Sequence, residues 1–386
     1  MIKLPSAFVL RVIAIGALLH CYIGVRLIPA AAVGMPLKVL AVLFLFASVL
    51  LIPLGMMARN IGRQPLSDRL AWVGLSAMGF FSSLLMLTVL RDIALALIYL
   101  VHRVQGAAAA PQTFAASSAL GVPLLALLLT GLGIFNARRS APVKHIDVPI
   151  AGLAAGLNGF TIVQISDIHV GPTIKRGYVE KIVAAVNALE PDLIAVTGDV
   201  VDGTVQQLAA DAQPLGGLSS RHGSFLVTGN HEYYSGAGPW VAEFRRLGLT
   251  VLMNEHVVVE HEGARAIVAG VTDFSAGHFD PAQASDPAKA LHGAPVDVMF
   301  RLLLAHQPRS ATAASEAGFT LQLSGHTHGG QFLPWNFFVR LQQPFVHGLE
   351  KLSDLWVYTS RGTGYWGPPI RLAAPSEITR LRLVQL

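Results

Sequence analysis

Two kinds of apolar pattern divide this chain. Up to about residue 140, apolar positions run in long blocks with no period of two or of 3.6 residues. Beyond that point they come in short runs that stop abruptly at polar or glycine-rich turns. Leu70–Leu90 carries no charge and is long enough to cross a bilayer. Val39–Ala58 reads the same way, with Pro53 and Gly55 tolerated near its end. Phe114–Phe135 is a third span containing Pro123, and Phe8–Leu27, bracketed by Arg11 and Arg26, is a fourth. A rival reading takes the first block, with Lys3 before it and Pro29–Ala32 after it, as a signal peptide. The short run Ile93–Val101 either extends the Leu70–Leu90 span or lies at the interface.

The later pattern alternates strands and helices, as in an α/β domain. Phe160–Ser166 reads as a buried strand, and Arg176–Leu189 as an amphipathic helix with Val179, Ile182, Val183 and Val186 on one face. Strands at Leu193–Thr197, Ser224–Thr228, Met299–Ala305 and Phe319–Leu323 follow, with late strands at Trp356–Thr359 and Ile378–Val384. The expected division is a membrane domain over 1–140 with about four transmembrane helices, a linker over 141–158 and an α/β domain over 159–386.

Composition sharpens this division. The chain is 53% hydrophobic and 13% charged over 386 residues, about half the charge of an ordinary soluble domain. Residues 1–144 hold 12 Lys/Arg against Asp68 and Asp92; the remainder holds 16 Lys/Arg against 21 acidic residues. The net +5 therefore divides into +10 and −5, and the basic excess belongs to the membrane part. No nucleic-acid footprint marks the α/β part. The single cysteine, Cys21, excludes an intrachain disulfide. With four spans, Lys3, Arg59, Arg63, Arg69, Arg138, Arg139 and Lys144 share one side, against Lys38 and Arg103 with the borderline Arg26 and Arg91 on the other. The positive-inside rule then puts the C-terminal part in the cytoplasm, beneath the cell (inner) membrane. His20 and His102 read as tolerated polar residues of the spans. No paired polar residues suggest an ion or proton path, which weighs against a transporter.

Five strands each end in a polar cluster: Asp167/His169, Asp199/Asp202, Asn230/His231, His306 and His326/His328. Each alone is an ordinary turn, cap or core histidine. Five at the same end of one sheet would be a costly layer of carboxylates and imidazoles without a ligand to compensate it. The donor set, rich in imidazole and lacking thiolate, suits iron, manganese, zinc or cobalt. There are more donors than one ion needs, and paired ions are the usual device for hydrolysing phosphate esters.

Asp-x-His, Gly-Asp-x-x-Asp, Gly-Asn-His-Glu, a lone His and Gly-His-x-His, in this order over residues 155–386, resemble the calcineurin-like metallophosphoesterases. Gly329-Gly330-Gln331 and Ser360-Arg361-Gly362 resemble the membrane-associated bacterial subgroup, and animal transmembrane proteins with a metallophosphoesterase domain are also similar. The resemblance implies a four-layer α/β/β/α sandwich after the N-terminal transmembrane helices. It implies that Asp167, His169 and His328 hold one metal and that Asn230, His306 and His326 hold the other. Asp199 would bridge them, His231 would face the leaving group, and Asp202 would orient His231. It also implies two divalent or trivalent transition-metal ions (Mn, Fe, Zn or Co) and phosphodiester or pyrophosphate cleavage by metal-activated hydroxide. With the membrane part, the expected partners are the lipid bilayer and a phosphorylated substrate, a phospholipid or lipid-linked nucleotide among the candidates. The competing expectation is a membrane sensor or scaffold whose metallophosphoesterase domain is regulatory. Glu232 stands where the family often has Asp, which carries little weight at this level. His222, His256, His261, His278, His292 and His347 read as non-ligands. The aromatic stretch Phe332–Phe345 reads equally as a lip, a membrane contact or a second small core.

Overall fold

The computed structural model describes residues 7–58, 61, 63–106 and 112–386. Lys3 and Arg59, used for orientation, lie outside the described residues. The chain forms two compact units: Met1–Phe135 with Gly367–Leu372, and Asn136–Trp366 with Ala373–Leu386.

The first unit is helical. Helices α1 (Ala7–Leu27), α2 (Met35–Met57), α3 (Leu66–Val104) and α4 (Gln112–Arg138) begin in it. Among the described residues, α2, α3 and α4 are long and apolar enough to cross a membrane. The block carrying Arg11 and Arg26 is also helical, as α1, but is not one of those three. The run after Arg91-Asp92 continues α3 rather than starting a new element. At 39 residues, α3 is roughly 58 Å long, against a hydrocarbon core of about 30 Å. The adjacent charges Arg91 and Asp92 do not break it because both are paired. Asp92 accepts from Arg26 and from the Tyr22 hydroxyl, each at 2.7 Å. Arg91 donates to Ser118 Oγ at 3.0 Å and to the Ala115 carbonyl at 2.8 Å. Helices α2 and α3 touch at Gly55 and Gly74, where a Cβ on Gly74 would fall 2.3 Å from the Leu51 carbonyl oxygen. Small residues of this kind let apolar helices approach closely where water drives nothing. His20 is a satisfied polar residue, bonded to the Gly16 carbonyl and Ser48 Oγ and stacked on Phe81.

The second unit holds twelve strands among its described residues: β1 (Val143–Ile150), β2 (Thr161–Ile165), β3 (Leu193–Val196), β4 (Ser224–Leu226), β5 (Thr250–Val251), β6 (Glu255–His261), β7 (Ala264–Gly270), β8 (Arg301–Leu304), β9 (Leu321–Ser324), β10 (Gly348–Leu352), β11 (Leu355–Thr359) and β12 (Ile378–Gln385). They form two six-stranded sheets, ordered β1-β12-β2-β3-β4-β5 and β10-β11-β9-β8-β7-β6. Strands β2 to β5 run parallel, as do β7, β8, β9 and β11.

The layers follow from which side chain points where. Along β3, Leu193 and Ala195 join one apolar cluster with Leu302, Leu304 and Leu323 of the other sheet. Ile194 and Val196 join another with helices α5 (Arg176–Asn187), α6 (Val205–Ala212) and α8 (Ala237–Arg246), through Ile182, Leu208, Trp240 and Phe244; the short helix α7 (Asn230–Ser235) comes just before α8 in the chain. A third cluster covers the far face of the second sheet with Ala311 and Ala314 of the helix Ala311–Glu316. Strands buried on both faces are continuous apolar runs, and β2 and β3 are buried throughout. The α/β fold with two sheets between helices agrees with the expectation from the motifs.

Two expectations change. The segment 141–158 is not a bare linker, because it contains β1, which pairs in parallel with β12 from Val143↔Ile378 to Ile150↔Gln385. And the polar strand ends do not belong to one sheet: β2, β3 and β4 lie in the first, β8 and β9 in the second.

Candidate metal centre

Each cluster sits where a parallel strand ends, the edge at which α/β sheets present their loops. Asp167 and His169 follow β2, Asp199 and Asp202 follow β3, and Asn230 and His231 open α7 after β4. His306 follows β8, and His326 and His328 follow β9. Five of these residues, Asp167, His169, Asp199, His326 and His328, have φ between 51° and 69°. Non-glycine residues held there store strain, and such residues gather at ligand-binding sites. Gly229 and Gly325 permit close approaches, since a Cβ on Gly229 would lie 2.2 Å from Asp199 Oδ1 and one on Gly325 2.2 Å from Asp167 Oδ2.

The side chains converge as two overlapping groups. In the first, His169 Nε2 lies 3.1 Å from His328 Nε2, and His328 Nε2 lies 3.4 Å from Asp167 Oδ1. In the second, His306 Nε2 lies 3.2 Å from His326 Nδ1 and 3.1 Å from Asp199 Oδ2. Asp199 Oδ2 is also 3.9 Å from His169 Nε2 and from His231 Nε2, so it stands between the groups. Asp167 and Asp199 are buried, as are His169, His306 and His328.

Tautomers follow from the outer partners. A carbonyl only accepts, so His306 Nδ1–H donates to the Thr197 carbonyl at 2.8 Å and its Nε2 turns inward. Asp202 Oδ1 accepts from His169 Nδ1 at 3.0 Å and from His231 Nδ1 at 2.6 Å. One carboxylate thus orients two imidazoles. A carboxylate behind a histidine is a common outer partner in metal sites.

Charge is unevenly settled among these groups. Burial opposes a positive His231, but Asp199 and Asp202 outweigh it and hold the imidazole up at about 9. Burial, then repulsion from His306, pushes His326 down to about 3, leaving it a neutral donor. Burial opposes ionisation of Asp202, yet His169 and His231 keep it well below the usual carboxylate range.

The residues fit a metal. Imidazole nitrogens face one another at 3.1 and 3.2 Å, and with the outer nitrogens bearing the protons their inward lone pairs would suit one cation. Asn230 Oδ1 is buried with no hydrogen-bond partner, an orphaned oxygen of the kind that marks an absent ion. Asp167/His169/His328, Asp199/His306/His326 and His169/Asp199/His231 each bring three donor atoms within 4.8 Å of one another.

A family model for calcineurin-like phosphoesterases matches residues 160–330. An uncharacterised metallophosphoesterase of Campylobacter jejuni is 36% identical over 269 residues, covering 68% of this chain and 69% of that protein. The chain belongs to the calcineurin-like phosphoesterase family. A zebrafish relative, a transmembrane protein with metallophosphoesterase domain, is 38% identical over 70% of this chain, and the match spans 64% of that relative's length. Among solved structures, the NAD nucleotidase of Haemophilus influenzae aligns with a TM-score of 0.39 and 16% identity, covering 53% of this chain and 45% of that one. The family is a metallophosphoesterase family and implies divalent metal ions. Helices α2, α3 and α4 are long and apolar enough to cross a membrane, and the zebrafish relative is named as a transmembrane protein.

One functional residue carried no weight in the sequence reading. The buried Glu232 carboxylate accepts four backbone N–H groups: Gly229 at 2.7 Å and Asp199 at 2.9 Å on one oxygen, Val200 at 2.8 Å and Val201 at 3.2 Å on the other. It locks the turn carrying Asp199 to the turn carrying Asn230. Its signal was its place three residues after Gly229, the spacing at which a glutamate reaches back over a helix start. Trp366 and Tyr234 are also aromatic neighbours of His231, with centroids at 5.6 and 5.3 Å. The set-aside histidines stay out of these groups: His222 pairs with His261 at 2.9 Å, and His256 bonds the Ala290 carbonyl. In the aromatic stretch, Phe332 is buried, whereas Trp335, Phe337 and Phe338 are more than half exposed.

Proposed function

We propose that the chain is a membrane-anchored, dinuclear-metal phosphohydrolase cleaving phosphodiester or pyrophosphate bonds, with its catalytic unit on the cytoplasmic side of the cell membrane. The observation that carries this reading is Asp199 Oδ2 lying between two imidazole–carboxylate groups. Asp167, His169 and His328 would hold one ion, Asn230, His306 and His326 the other, and Asp199 both. When bound, such ions would offset charge on phosphoryl oxygens and acidify a water near neutral pH.

The chain's own residues do the rest. Asp202 fixes the ring of His231 through Nδ1, which leaves Nε2 as the proton-bearing face. A protonated His231 stabilises the leaving oxygen and hands it a proton. Because its pKa is raised to about 9, the acid form is present below that value and is lost as pH rises through it; nearby ions would move the limb lower. His231→Ala should retain metal, lose about a hundredfold or more in turnover, and lose the basic limb of the pH–rate profile. Unchanged turnover removes His231 from the reaction.

For the substrate, the favoured class is a phospholipid or a lipid-linked nucleotide. Support comes from the short helix Trp335–Phe338, whose Asn336 backbone packs against Gly330 of the His328 turn while its aromatic residues stay exposed. Exposed aromatic side chains suit a membrane interface. The test is metal analysis of the detergent-purified full chain, followed by hydrolysis of bis-p-nitrophenyl phosphate and of phospholipid in vesicles. Two metal equivalents with soluble diesterase activity are expected. Trp335→Ser with Phe337→Ser should slow only the vesicle reaction. A folded protein that takes up no metal overturns the catalytic reading in favour of a sensor or scaffold.

A further inference from the structure

We propose that the first unit contains a binding site for one anionic glycerophospholipid, with an acyl chain in a cavity among α1 to α4 and the headgroup phosphate at the start of α2. This proposal stands apart from the hydrolytic reading and uses none of its residues.

The cavity has a volume of about 490 Å³ and is lined by Ile23, Leu27, Phe44, Phe80, Leu84 and Pro123, among other apolar residues. Its size falls within the roughly 300–1,000 Å³ of ordinary ligand pockets. Most of its walls belong to α2, α3 and α4, which are long and apolar enough to cross a membrane, the end of α1 completes them, and almost nothing polar faces into it. A bilayer offers one abundant molecule of matching chemistry, the acyl chain.

Charge decides which lipid. Lys38 is the charged residue of the cavity lining and lies in the first turn of α2. That helix start has no acidic residue in its first turn and no side-chain cap on Gly34. A cation there is unfavourable against the helix dipole, whereas an anion is favourable against both the dipole and the lysine. At the same end of the bundle, the residue before Leu27 is Arg26 and the residue before Ala119 is Ser118, both in the network around Arg91 and Asp92. Asp92 balances one of the two arginines. Arg26, Arg91 and Lys38 against Asp92 leave two positive charges beside an apolar cavity. A zwitterionic headgroup would cancel part of its attraction with its own ammonium; a phosphatidylglycerol headgroup would not.

The experiment is native mass spectrometry of the full chain in detergent, titrated with phosphatidylglycerol or phosphatidylcholine of identical acyl chains. The expected result is one phosphatidylglycerol bound about tenfold more tightly than phosphatidylcholine, a difference of about 1.4 kcal/mol. Lys38→Gln should remove that preference and leave phosphatidylcholine binding unchanged. Ala41→Phe, which fills the cavity from α2, should abolish saturable binding of both. Glycerol 3-phosphate, a headgroup without a chain, should not compete; competition at equal concentration would assign the site to soluble phosphate and overturn the lipid proposal. Equal binding of both lipids, unaltered in Lys38→Gln, would mean only annular lipid and also overturn it. Lys38 is partly exposed at a helix end, so its variant tests the proposal even if Ala41→Phe unfolds the bundle; the thermal midpoint of each lipid-free variant identifies that case.

Discussion

Asp199→Asn is expected to lower diesterase turnover by on the order of a thousandfold and to lower bound metal from two equivalents to one or none. The carboxylate is tied at both ends. Oδ1 accepts the His231 backbone N–H at 2.8 Å, and Oδ2 faces His306, His169 and His231. An amide keeps one oxygen. If that oxygen stays on the backbone N–H, the NH₂ group points at the imidazoles and removes the shared negative charge. If it turns inward, two donors face one another at the backbone. Plasma mass spectrometry for metal, with turnover on bis-p-nitrophenyl phosphate, measures both losses. Full metal content with full activity in the variant would mean that Asp199 bridges nothing.

A second large effect is expected where no substrate reaches. Glu232→Gln keeps volume but exchanges one accepting oxygen for a donating NH₂. Each Glu232 oxygen accepts two backbone N–H groups, so the variant leaves two buried donors facing a third. The cost is about 3–4 kcal/mol, which for a unit of this size is a fall of roughly 10 °C in Tm. Metal affinity falls with it, because the turns carrying Asp199 and Asn230 lose their common anchor. Burial, joined by Asp199, pushes the Glu232 carboxyl up to about 7, against the pull of the backbone N–H groups. Calorimetry with and without added metal separates the two losses. A variant as stable as the parent would show that water replaces the carboxylate.

The metal-binding region was legible because its chemistry is written locally. Asp167, Asp199, Asn230, His306 and His326 each follow a short apolar run within a few residues, so strand, edge and donor could be read together. What was not legible depends on distant partners. Residues 143–150 have an incompletely buried, partly polar pattern, and only β12, more than two hundred residues later, makes them a strand. Assignment of the strand ends to one sheet failed for the same reason, since each motif reports its own strand and nothing about its neighbours. The charges at Arg91-Asp92 close the uncharged run Leu70–Leu90 and left open whether the helix continues. Arg26, Tyr22 and Ser118, on two other helices, neutralise them and let the helix run on. Glu232 was underweighted because its spacing from Gly229 reports only a helix start, whereas three of its four partners are backbone groups of the distant Asp199 turn.

The left-handed backbone at Asp167, His169, Asp199, His326 and His328 bears on how this protein would respond to selection in the laboratory. Each such residue costs about 1–3 kcal/mol that a glycine would recover. A library screened only for surviving heat, with no demand for turnover, would therefore accumulate glycine at these positions. Its survivors would be tougher than the parent but would have lost candidate metal ligands, and a mutational map scored on abundance alone would mark the candidate metal centre as the place where change is welcome.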